Sequence, residues 1–250
     1  MDLREHRSTE QRHPWEVARL QFLTQVLRAH GLLPKVHSVL DAGSGDAWFA
    51  KQLLDVLGES RSIDCWDTEY TAESMAEITQ TLPPQIHLTP TRPETLHDLV
   101  LLLDVLEHVQ DDHGFLTTLV QESLRPGGWL LFTVPAWQPL FSRHDTWLQH
   151  HRRYAPDQAV RVLRAAGLNV VQSGGLFHSL LMPRLMTVVA ERLRPSNAPH
   201  QPTIAWRHGA LVTRAVQTAL DLDNAVSLAA ARAGLPLPGL SFWALCQRPA

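Results

Sequence analysis

Short apolar runs alternate with stretches of helical spacing along most of the chain, and this alternation constrains the fold more than any other feature. "VHSVLDA" stops at a glycine turn and gives way to "AWFAKQLLDVLG"; "SIDCWD" gives way to "AESMAEITQTL". "IHLT", "DLVLLLD", the helical "DHGFLTTLVQESL", "GGWLLFTVP" and the helical "PDQAVRVLRAAGL" continue the pattern, and "NVVQSG" and "LSFWALCQ" supply two late strands. Such an order predicts one α/β sheet, mostly parallel, with helices on both faces. Ahead of it, "PWEVARLQFLTQVLRAHGL" predicts an amphipathic helix with Pro14 in its first turn and Gly31 at its end. The polar residues before that helix are expected to be loose. Residues 176–236 hold two further helical stretches, "HSLLMPRLMTVVAERL" and "GALVTRAVQTALDLDNAVSLAAARAG", joined by "RPSNAPHQPT" as a loop. They read as a helical insertion, a lid or a dimer surface.

Composition narrows the setting. A formal charge of −3 gives no general attraction to nucleic acid or to an anionic membrane, although local basic patches stay open. Cys65 and Cys246 lie far apart without a metal-ligand pattern, which suggests a reduced, cytoplasmic environment. The N-terminus "MDLREHRSTEQRHPW" is too polar for a secretory signal. No apolar run reaches the roughly 18 residues of a membrane span. "LFHSLLMPRLMTVV" comes nearest, interrupted by Pro183 and Arg184.

"VLDAGSGDAW" is the most informative decapeptide. Gly43 and Gly45 allow a tight turn after a strand and a close approach of ligand to backbone. In an open parallel sheet, ligands bind at the carboxyl ends of the strands. A nicotinamide dinucleotide calls for a third small residue and a bare helix N-terminus, but Trp48 occupies that place and Asp41 and Asp46 bracket the loop. A positively charged, phosphate-free ligand such as S-adenosylmethionine fits better. Asp67, at the end of the second strand, is placed to accept both hydroxyls of a ribose.

In order, "VLDAGSGD", "CWD", "DLVLLLDVLEHVQDD" and "LRPGGWLLFTVPA" resemble the successive motifs of class I S-adenosylmethionine-dependent methyltransferases, from about Val36 to Phe177. "DVLEHV" followed by "HDTWLQHHRRYAPDQ" resembles a bacterial branch in which an H-x-R-R-Y-like segment precedes the last large helix. The resemblance implies a Rossmann-like seven-stranded sheet in the order 3-2-1-4-5-7-6, with strand 7 antiparallel. It implies S-adenosylmethionine as methyl donor and S-adenosylhomocysteine as product. Asp41, Gly43, Ser44, Gly45, Asp67 and Asp104 are then the expected cofactor residues. One departure concerns adenine: after the third strand the family often carries an acid, whereas "IHLTPTRPETL" offers none before Glu94. The chain is expected to be one domain, with an N-terminal helical segment (1–34), a cofactor-binding core (35–175), a helical insertion (176–236) and a final strand (237–250).

"SRHDTWLQHHRRYAPD" follows the fifth strand, on the edge where the cofactor loop lies. A zinc site from His144, Asp145, His150 and His151 would need adjacent histidines to converge, without a cysteine pair. Arg143, Arg152 and Arg153 are too few for nucleic acid. An active-site loop suits the position better. If the acceptor is a hydroxyl, a histidine near neutrality can take its proton; His144, His151 and His108 are the candidates. His150, Arg152, Arg153 and Trp137 are candidate substrate residues, the arginines suiting an anionic group. Tyr154 is expected to anchor the loop, and Asp111 and Asp112 to start the following helix. Asp104, Glu107 and His108 could instead hold a divalent metal, as a related segment does in some quinone-ring O-methyltransferases. The expected activity is O-methylation of a small or lipid-like metabolite. Alternatives are N- or C-methylation, a binding protein that keeps the cofactor without turnover, and a nicotinamide-dependent oxidoreductase. Leu180, Leu181, Met182, Leu185 and Met186 offer an apolar wall for a lipid-like, aromatic or polyene substrate, or a face that packs on the sheet or on a second subunit. Peripheral membrane contact and a homodimer are both open.

Overall fold

The computed structural model describes residues 12–58, 60–194 and 206–250. The expectations of a loose N-terminus and of a loop over "RPSNAPHQPT" fall, Arg194 apart, outside these residues. Seven strands form one sheet: β1 (Ser38–Ala42), β2 (Ser62–Trp66), β3 (Ile86–Thr89), β4 (His97–Leu103), β5 (Leu124–Pro135), β6 (Asn169–Leu176) and β7 (Ser241–Gln247). Their order is β3-β2-β1-β4-β5-β7-β6. β7 runs antiparallel to both neighbours, and the other pairings are parallel. Fold and strand order are those the sequence motifs imply.

Eight helices accompany the strands: α1 (Pro14–Ala29), α2 (Trp48–Leu57), α3 (Ala72–Thr79), α4 (Asp112–Ser123), α5 (Arg143–Trp147), α6 (Pro156–Ala165), α7 (Leu181–Leu193) and α8 (Ala210–Arg232). Strand alternation divides the core into two layers. Leu99, Leu101 and Leu103 of β4 face one layer with Phe22, Val26, Leu53, Leu228 and Trp243. Val100 and Leu102 face the other, with Leu116, Leu119, Leu163 and Phe242. α1, α2 and α8 cover the first face, and α4 and α6 the second.

Within residues 176–236, α8 lies along α1 and β6 as a structural layer, and α7 contacts the turn after β5. Asp111 caps α4, its carboxylate accepting from Gly114 N–H at 3.0 Å. Two elements differ from the sequence expectation. β5 starts at Leu124, ahead of its apolar run, because Leu124 pairs with His97 across the sheet. The supposed loop after β5 contains α5, started by Ser142 and Asp145 as a capping box: Ser142 Oγ accepts from His144 N–H and Asp145 accepts from Ser142 N–H.

Candidate active site

The carboxyl ends of β1, β2 and β4 open onto a cavity of about 690 Å³, a size suited to a cofactor and small substrate. Gly43, Trp66, Asp67, Asp104, Val105 and His108 line it, as do Phe115 and, from the segment after β5, Thr146, Gln149, His150 and His151. Asp67, Glu69 and Asp104 bring carboxylates to the lining, which has no Lys or Arg among the described residues. A pyrophosphate would be repelled here, and a sulfonium or ammonium attracted.

The glycine loop forms because Gly43 and Gly45 adopt positive φ, 74° and 57°. A Cβ on Gly43 would stand 2.3 Å from Val105 Cγ2, so loop and β4 edge touch closely. Gly43 N–H donates to Trp66 O at 2.7 Å, and Ser44 shares a 2.8 Å hydrogen bond with buried Tyr70. Asp67 accepts Gly45 N–H and Glu69 N–H, each at 2.9 Å, so one carboxylate joins the first loop to the second. Behind the loop, Asp41 is buried, and its Oδ2 has no hydrogen-bond partner among the described residues. Burial pushes its carboxyl up to about 6.

Asp104 occupies a left-handed conformation (φ 54°) directly after β4, which is uncommon without glycine. Thr133 Oγ1 donates to its Oδ1 at 2.9 Å, and the buried Arg19 of α1 forms an ion pair with its other oxygen. Arg19 is a residue the sequence reading missed. Its signal was a charged side chain at a core position of an amphipathic helix, in register with Phe22, Leu23 and Val26. Trp66 and Phe115, stacked at 6.2 Å between centroids, also line the cavity.

The segment after β5 is organised by Asp145, which is wholly buried at the start of α5. Its carboxylate accepts from His150 Nδ1 at 3.1 Å, Arg153 Nε at 2.7 Å and an Arg184 guanidinium nitrogen at 2.7 Å. Burial alone would raise this carboxyl, but His150 and the two arginines outweigh it and hold it well below the ordinary range. An ionised Asp145 can only accept, so His150 carries its proton on Nδ1 and, when neutral, a lone pair on Nε2. A left-handed turn at Gln149 (φ 62°) brings His150 back to Asp145.

The other expected residues separate. His108 and His151 line the cavity, whereas His144 stacks on Trp147 and is not among the lining residues. Arg152 pairs with Asp112 at 2.8 Å, and Arg153 is buried against Asp145. Trp137 donates from Nε1 to Gly239 O at 2.9 Å and faces a second cavity of about 610 Å³, beside α6. Tyr154 is buried and donates to Asp112 at 2.8 Å, fixing the loop to α4. Glu107 is buried, with Oε2 lacking a partner among the described residues, and burial pushes its carboxyl well above the usual range. Donor atoms of Glu107, His108 and His150 lie within 4.8 Å of one another, so His150, not Asp104, completes the group able to hold a cation.

A profile of a family described as "Methyltransferase domain" matches residues 11–173. A search of curated proteins found no significant match. Among solved structures, a Galdieria sulphuraria protein provisionally described as a sarcosine dimethylglycine methyltransferase superposes with a TM-score of 0.58 at 17% identity, covering 93% of this chain and 86% of its own. A segment described as StiE O-MT gives 0.52 at 16% identity, covering 92% and 74%. The [4+2]-cyclase SpnF gives 0.50 at 16% identity, covering 89% of this chain and 80% of its own. At these identities the likeness is one of fold.

Proposed function

The chain belongs to this methyltransferase-domain family, and from that premise we propose that it methylates a hydroxyl oxygen of a small or lipid-like metabolite, with His150 as the general base. The observation that carries the proposal is the Asp145–His150 pair in the wall of the cavity that Gly43, Asp67 and Asp104 also line.

The residues present fit S-adenosylmethionine. The buried Asp41 Oδ2 lacks a partner among the described residues, and the cavity lining bears carboxylates and no Lys or Arg. Asp67 would hold the ribose hydroxyls, Trp66 and Phe115 would flank the adenine, and Asp41 and Asp104 would face the cationic end. When bound, the cofactor supplies a methyl group activated by a positively charged sulfur. The protein's work is then alignment and proton removal. Holding acceptor and donor in line supplies several kcal/mol. His150 Nε2 takes the acceptor proton, while Asp145 stabilises the resulting imidazolium through Nδ1–H. His151 and His108 flank the acceptor, and the roles first considered for Arg152 and Arg153 give way to fixing the loop, through Asp112 and Asp145.

A second reading rests on the buried Glu107 Oε2, which has no partner among the described residues: a divalent cation on Glu107, His108 and His150 would orient the acceptor oxygen. Label transfer from methyl-labelled cofactor into fractionated hydroxylated metabolites tests both. The base reading predicts that His150→Ala loses 10²–10⁴-fold in rate while S-adenosylhomocysteine binding is kept, and that a chelator has no effect. Undiminished transfer by His150→Ala removes His150 as the base, and loss of activity in chelator favours the cation.

A further inference from the structure

We propose that α7 is an interfacial helix that docks the protein on an anionic phospholipid bilayer. This inference does not depend on the nature of the methyl acceptor.

α7 exposes an unusual amount of apolar side chain. Met182, Leu185, Met186, Val189 and Leu193 are 63, 41, 69, 44 and 76% exposed. At 100° per residue these five positions fall within an arc about 100° wide, one continuous stripe along the helix. The opposite side is committed to the protein. Val188 is buried, Arg184 bonds to Asp145 and to Ser142 Oγ at 2.7 and 2.6 Å, and Glu191 accepts from Arg143 N–H at 3.4 Å. The stripe is therefore not a misplaced core face, since the core face is already filled.

Charge identifies the occupant. The exposed charged residues of α7 and its C-cap are Arg192, which borders the apolar arc and donates to Pro139 O at 2.7 Å, and Arg194, directly after the last turn, while Glu191 is turned inward. Residues 181–220 carry five arginines and one glutamate, +4, in a chain of net charge −3, so the remaining residues carry −7. The stretch from α7 to the middle of α8 is thus basic within an acidic chain. An apolar stripe edged by arginine matches the acyl boundary and headgroups of an anionic leaflet. A second copy matches less well, because apposed α7 faces would bring arginines together without an exposed acid between them. At 13 residues α7 spans about 20 Å, too short to cross a bilayer. It can only lie in the surface. Arg184 ties the same helix to Asp145, so a docked α7 would be linked to His150 through that carboxylate.

Co-sedimentation of the full chain with vesicles tests the proposal, using phosphatidylcholine alone and phosphatidylcholine mixed with phosphatidylglycerol. Binding to the mixed vesicles only, weakened at 0.5 M salt, is expected. Met186→Glu with Leu193→Glu should reduce the bound fraction at least tenfold, as should Arg192→Glu with Arg194→Glu, each pair folded by circular dichroism. No binding to mixed vesicles, equal binding to neutral ones, or full binding by folded Met186→Glu/Leu193→Glu would overturn the proposal. So would a dimer in vesicle-free solution that the Met186→Glu/Leu193→Glu pair converts to monomer, since the stripe would then belong to a second copy.

Discussion

At the residue scale the site holds carboxyls in opposite electrostatic states. Burial raises Asp41 from 3.8 to about 6, whereas His150 and two arginines hold Asp145 well below its ordinary range. Asp41 therefore opposes folding. Its folded carboxyl binds a proton that the unfolded chain has already lost between pH 3.8 and about 6, so its contribution to stability falls as pH rises through that window. Asp41→Asn should remove this pH dependence and raise the stability of the ligand-free chain at pH 7 by up to about 3 kcal/mol. The same change should weaken S-adenosylhomocysteine at least tenfold if Asp41 meets its ammonium group. Thermal unfolding and calorimetry of the variant at pH 4.5 and 7 check both halves; unchanged affinity would place the ammonium elsewhere. Stability given up at a binding site is a familiar trade.

Elements position these residues, and the elements are where the sequence was most and least legible. The periodicity and glycine stops predicted β1 to β7, α1 to α4 and α6 to α8, because each carries apolar residues at strand or helix spacing. α5 escaped, being too short for any periodic signal. With it went the Asp145–His150 pair, which depends on a capping box and on a left-handed Gln149. Of the adjacent histidines of "QHHRRY" the sequence reading favours His151 as base and His150 as a substrate residue; backbone direction instead brings His150 onto Asp145. Arg19 was missed because α1 reads in sequence only as an amphipathic helix. Two predictions belong here. Gly43→Ala combines a positive φ with a 2.3 Å approach to Val105, so it should lower the melting temperature and weaken S-adenosylhomocysteine several-fold; a variant as stable and as tight as the parent would mean that loop and β4 edge are not in contact. Arg184→Ala should release α7 from α5, read as faster amide exchange in α7 with that of β4 and β5 unchanged. Uniform acceleration would instead mean that α7 is part of the cooperative core.

At the scale of the whole molecule, one sheet presents its carboxyl edge to a cavity of about 690 Å³ bordered by the loops after β1, β2 and β4 and by the segment after β5. That architecture follows from strand order, which the motifs "VLDAGSGD", "CWD" and "DVLEHV" already implied. The reaction does not follow from it: SpnF, a [4+2]-cyclase, shares the fold. What speaks for methyl transfer is family membership together with the chemistry of the cavity, which is carboxylate-lined, with a buried acid behind its glycine loop whose Oδ2 has no hydrogen-bond partner among the described residues, and a carboxylate-oriented imidazole in its wall. Calorimetric titration with S-adenosylhomocysteine, NAD serving as the control, tests this most directly. One S-adenosylhomocysteine should bind per chain and NAD should not, with affinity falling at least tenfold in Asp67→Ala. Binding of NAD but not of S-adenosylhomocysteine would contradict the account.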